Sequence, residues 1–186
     1  MARMRHPFAV SAAVLTVALA GTLALGTTGS ASATETVRKT ADEPSLTGSG
    51  KLKRKPGDNV HFAFNAHGFA DKAHGTFYVS HHMGKQWGGY FKGRIDCLLT
   101  GGPVAVATGI VTESHFKSAP GLPAIGNLRG KRFGFTVLDD GKTNRLGYSW
   151  AMDGLPKNSV GKCLGSAPFE TLEKGHFKVH HWMPKH

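Results

Sequence analysis

The stretch Gly88–Thr100, GGYFKGRIDCLLT, decides the fold. Phe91, Gly93, Ile95, Cys97 and Leu99 fall on one side, and Lys92, Arg94 and Asp96 on the other. A period of two with one apolar face reads as a half-buried β-strand, with Cys97 pointing inward. The same period recurs in both directions along the chain. In Val60–Ala66, Phe62, Phe64 and Ala66 share a face opposite His61, Ala63 and Asn65. FYVSHH (Phe77–His82) groups Phe77, Val79 and His81, and FKVHHW (Phe177–Trp182) groups Phe177, Val179 and His181. Val104–Val111 is a small apolar strand in which Gly109 allows a bulge or bend. Arg132–Leu138 and Leu146–Ala151 flank Asp139-Asp140-Gly141-Lys142, and Asp-Gly between two such runs signals a hairpin. No strong amphipathic helix is evident. The expectation is an all-β fold, a sandwich or small barrel of roughly eight short antiparallel strands. Ser118–Gly130 is a Pro/Gly loop, long for a compact domain, and such loops are often functional or mobile.

The N-terminus reads differently. Arg3 and Arg5 precede an apolar run from Phe8 to Leu25, and Ala31-Ser32-Ala33 follows. That order is the three-part layout of a secretory signal peptide, here residues 1–33. Met4 separates the arginines, so a twin-arginine signal is not indicated, and no Cys follows the apolar run to carry a lipid. Cleavage after Ala33 leaves 153 of the 186 residues and, with Arg3 and Arg5 gone, takes the formal charge from +11 to +9. Residues 34–55 read as a flexible, basic-ended linker that finishes in KLKRK (Lys51–Lys55). Residues 56–186 then form one β-rich domain, enough chain to bury a core.

Both cysteines, Cys97 and Cys163, lie in this exported part. An even count in an oxidising compartment points to one disulfide; buried free thiols or a thiolate metal ligand are the alternatives. A chain this basic should adhere to anionic partners outside the cell, above all envelope polymers. No specific nucleic acid and no membrane insertion after signal cleavage is expected, and the sequence sets no oligomeric state.

The chain carries no His-Glu-x-x-His, Gly-x-Ser-x-Gly or Cys-x-x-Cys motif. Asp139-Asp140-Gly141 begins like a calcium loop, but no Glu closes it, and a turn explains it better. Ser80 and His81 are adjacent on a strand, so they point to opposite faces and cannot act as a nucleophile–base pair. Asp96 and Glu113 could meet on neighbouring strands, the minimum for a hydrolase cleft. The histidines are the other lead. If their strands are neighbours, His81 and His181 could touch, with His61, His67 or His74 supplying a third imidazole for zinc or copper; otherwise no cofactor is called for, and each is a satisfied core histidine. Trp87, in the Gly-rich GKQWGGY, is a candidate ligand contact, and Tyr90, Tyr148, Trp150 and Trp182 could add a stacking platform or simply pack the core.

The blocks FNAHGFADKAHGTFYVSHH, GYFKGRIDCLLTGG, GKRFGFTVLDDG, RLGYSWA, VGKCLGSAPFE and HFKVHHW resemble a family of exported actinobacterial proteins labelled "repetin", unrelated to the animal protein of that name. The resemblance covers about Asn59–Trp182. It implies an exported β-rich domain holding Cys97 and Cys163 together, and it assigns no activity or site. The leading expectation is therefore non-catalytic binding or adhesion at the cell envelope. A histidine-based metal or small-ligand binding protein is the alternative, and a hydrolase the third.

Overall fold

The computed structural model describes residues 43–183. The expected signal peptide and the first part of the expected linker lie outside the described residues. Eight strands follow in order: β1 (Ser45–Leu52), β2 (Asp58–His67), β3 (His74–Met83), β4 (Trp87–Gly101), β5 (Val104–Lys117), β6 (Arg132–Asp139), β7 (Asn144–Tyr148) and β8 (Glu170–His180). Each pairs antiparallel with the next, and β8 closes on β1. The fold is all-β, and the choice between sandwich and barrel falls to a closed eight-stranded barrel. A barrel of this size has an interior just wide enough for side chains or one small ligand.

Two readings of the sequence are corrected. Residues 45–52, expected as linker, are β1. The period was present: Leu46, Gly48, Gly50 and Leu52 occupy alternate positions, and both leucines are fully buried. The two glycines disguised it. Gly48 holds φ +112°, and a Cβ there would lie 2.2 Å from the His176 carbonyl oxygen, so the close crossing of β1 over β8 demands glycine. The domain therefore begins before residue 56. The second correction concerns Cys97. The β4–β5 register shifts between Ile95 and Cys97. This bulge at Asp96 turns the strand over, so Leu98 is buried and Leu99 exposed. Cys97 is buried, but beneath chain on the outer wall rather than in the barrel interior. The expected hairpin strand Leu146–Ala151 also shifts: β7 stops at Tyr148, and Trp150 lies in a turn.

The interior is packed with aromatic rings. Phe62, Phe77, Phe91, Phe133, Phe135 and Phe177 are almost wholly buried. The ring of Phe77 occupies space that a Cβ on Gly93 or Gly109 would take, at 2.6 and 2.5 Å. Large residues facing small ones is how a narrow barrel fills its lumen. The β7–β8 pairing is short, only Arg145↔Thr171 and Leu146↔Glu170. Beyond it, side chains complete the seam: the Phe177 amide donates to Asn144 Oδ1, and the Val179 amide to Asp139 Oδ2.

Cys97 and Cys163 form a disulfide. It ties a strap, residues 160–169, across the outside of β5–β7. The strap passes so close that Cβ atoms on Gly134 and Gly147 would strike the Leu164 and Ala167 carbonyls. Beneath it, Thr108 Oγ1 accepts from the Cys163 amide and donates to Asp96 Oδ1, whose other oxygen takes the Arg132 Nε proton at 2.7 Å.

Candidate functional site

The two ends of the barrel differ. The upper rim carries the connections 53–57, 84–86, 118–131 and 149–169; the lower rim carries 68–73, 102–103 and 140–143. The two long upper connections fold over the barrel mouth. Ile125 and Leu128 are buried, and the Trp87 indole Nε1 donates to the Pro123 carbonyl at 3.0 Å. The expected Pro/Gly loop is thus a packed cap rather than slack chain.

Beneath the cap lies a cavity of about 230 Å³. Six aromatic side chains line it, Phe62, Trp87, Phe91, Phe116, Tyr148 and Trp150, among aliphatic ones. Tyr148 and Trp150 pack with ring centroids 4.7 Å apart, and Trp87 meets His81 edge-on at 5.0 Å. Ile125 and Leu155 contribute from the cap.

Polar groups enter from the rim, each continuing the inward period of its strand by one step. Arg54 follows Leu52; Asp58 precedes Val60; His81 follows Val79; Tyr148 follows Leu146; and Glu170 pairs across from Leu146. Arg54 Nη2 donates to Tyr148 Oη at 2.7 Å and also pairs with Glu170 Oε1, while Tyr148 Oη donates to the same Glu170 oxygen at 3.0 Å. Burial pushes the Tyr148 phenol up to about 12. Among the described residues, Arg54 Nε is a buried donor with no hydrogen-bond partner. Across the cavity, His81 Nε2 lies 2.7 Å from Asp58 Oδ1. An ionised carboxylate only accepts, so Nε2 carries a proton, and in the neutral ring Nδ1 is left as an acceptor.

The expected His81–His181 site does not assemble. His81 stands at the upper rim, whereas His181 follows the lower end of β8 and meets Thr100 Oγ1 at 3.0 Å. Strands β1 and β2 separate their strands. The repeated Phe-x-Val-x-His frame misled because β3 and β8 run in opposite directions along the barrel. The third-ligand candidates do not join His81 either. His67 and His74 pair at the lower rim, and His61 lies on the outer face of β2, partial burial holding it below the usual histidine value. Among the described residues no three His, Cys, Asp or Glu side chains group as a zinc or copper site requires.

The expected carboxylates and aromatics disperse too. Asp96 is neutralised under the strap. Glu113, on the outer face, takes hydrogen bonds from Tyr90 and Lys92, which hold it below its ordinary value. The five aromatics expected to share a platform divide three ways. Trp87, Tyr148 and Trp150 line the cavity, Tyr90 stacks with Tyr78 outside, and Trp182 meets Phe69 at the lower rim. Trp87 itself is not in a loop but begins β4.

The fold and cavity define a closed eight-stranded meander barrel with a ligand-sized chamber at one end. No family model, no curated protein and no solved structure matches the chain. The resemblance to the "repetin" proteins stays an expectation from sequence.

Proposed function

We propose that this chain is an exported small-ligand-binding protein, and that its ligand is a planar, mainly apolar molecule with one acidic or acceptor group. The observation that carries the reading is Arg54 Nε, a buried donor without a partner on a side chain that lines a chamber of aromatic and aliphatic groups. A buried polar group without a partner is costly, and a ligand acceptor would remove that cost. Size narrows the class. An apolar cavity of about 150 Å³ holds benzene, so about 230 Å³ suits one or two fused rings. Export is supported by the disulfide, which persists in oxidising compartments.

Calorimetry with naphthoate and neutral naphthalenemethanol tests the proposal. Naphthoate should bind one-to-one. Arg54→Met should weaken it about ten- to a hundredfold, as expected for a hydrogen bond to a charged group, and change the neutral probe little. Ala151→Phe, which adds a ring to the chamber wall, should abolish both. Absence of saturable binding, or equal loss of both probes in Arg54→Met, overturns the reading.

Adhesion to anionic envelope material is the second reading. The observation favouring it is that exposed Lys53, Lys55, Lys85 and Lys157 all stand on the upper rim.

A further inference from the structure

We propose that the upper rim docks on an anionic lipid surface, with the cavity mouth facing the bilayer. This deepens the adhesion reading by naming its partner and does not depend on the cavity holding a ligand.

The first support is the uneven placement of charge. The four upper connections carry eight Lys and Arg residues and a single acid, Asp153; Arg54 is paired with Glu170, and Lys162 reaches down to the Asp71 carbonyl, which leaves six at the upper rim. The three lower connections carry two basic residues, Lys72 and Lys142, and two acidic ones, Asp71 and Asp140. The upper carboxylates that might offset this excess are engaged, Glu170 with Arg54 and Asp58 with His81. The excess therefore belongs to one end, not to the whole surface.

The second support is apolar. Met152, on the loop that lines the cavity opening, is 97% exposed. Leu122 on the other cap, Met83 at the end of β3 and Phe169 beside Tyr148 are also exposed. A soluble polyanion would attract the lysines but return nothing for this apolar exposure. A bilayer interface satisfies both, since basic residues meet headgroup charge and apolar tips enter the acyl boundary. The lower rim also exposes Phe69, Leu99 and Met183, but without the cationic excess, so it lacks the second signal that reversible membrane association needs.

Vesicle co-sedimentation tests this with the chain processed at Ala33, which retains every strand and core residue of the closed barrel. Phosphatidylglycerol vesicles should bind it, and pure phosphatidylcholine vesicles should not. Each basic residue near an anionic leaflet strengthens binding about fivefold, so Lys53→Gln/Lys55→Gln/Lys157→Gln should weaken it about a hundredfold. Met152→Ser should cost roughly tenfold. Lys72→Gln/Lys142→Gln, at the lower rim, should change nothing. All six positions are exposed loop residues, and thermal melts check that the variants fold. Three results overturn the proposal: no binding to phosphatidylglycerol, equal losses from both rims, or lipid-free polyphosphate binding as tightly with Met152→Ser unaffected. The last outcome keeps adhesion and assigns it to a polymer; the first, with no polyphosphate binding, removes adhesion as well.

Discussion

The lower half of the barrel is a structural plug and the upper half is a chamber, although the same eight strands build both. Below, Leu46, Phe64, Ala66 and Phe177 fill the lumen, two of the three connections are tight turns, and Asn144 and Asp139 satisfy the last open amides of β8. Above, the inward positions turn polar, the connections lengthen, and a cavity remains under the cap. The difference teaches that closure and binding are separate tasks here, set by which residues continue the inward period at each end of a strand. Substitutions should therefore divide into those that cost stability alone and those that also cost binding.

The largest effect is expected at the plug. Phe177→Ala should destabilise by about 3–5 kcal/mol, the usual cost of deleting a buried aromatic ring, measured by denaturant unfolding. The folded fraction should still bind naphthoate normally; a binding defect there would break the division between the halves.

Next is the strap. Cys97→Ala/Cys163→Ala opens a cross-link between residues 66 positions apart. About 2–4 kcal/mol of stability should be lost. Because the strap leads directly from the cap segment that carries Trp150 and Leu155, probe affinity should fall as well. Unchanged affinity would mean that the cap is held without the strap.

The smallest effect is a titration. Tyr148 is neutral in the folded chain up to about 12, whereas an unfolded tyrosine ionises near 10. Its folded pKa is raised, so its contribution to stability is complete below pH 10 and is lost as pH rises toward 12. Ultraviolet titration should show Tyr148 as the last tyrosine to ionise, beyond Tyr90, which its hydrogen bond to Glu113 also raises; Tyr148→Phe should remove that last step, and occupancy of the chamber should delay it further. An unchanged last step in Tyr148→Phe/Tyr90→Phe would place the buried phenol elsewhere.

Much of this protein follows from its sequence alone. The period of two, the Asp-Gly hairpin and the paired cysteines determined an all-β domain of about eight strands with one disulfide, because side-chain alternation and turn chemistry are local properties. Even β1 was legible in the spacing of Leu46 and Leu52, though its glycines resembled linker. Carried one step further, the alternation of β1 reaches Arg54 and that of β2 reaches Asp58, a signal that went unread. Three things needed the tertiary structure. The bulge at Asp96 inverted the face of Cys97, and no alternation rule reports a skipped residue. Strand order sent His81 and His181 to opposite rims, since two identical local frames carry no information about which end of a barrel each will occupy. The chamber itself arises only when β8 closes on β1, bringing Arg54, Tyr148 and Glu170 together from positions up to 116 residues apart.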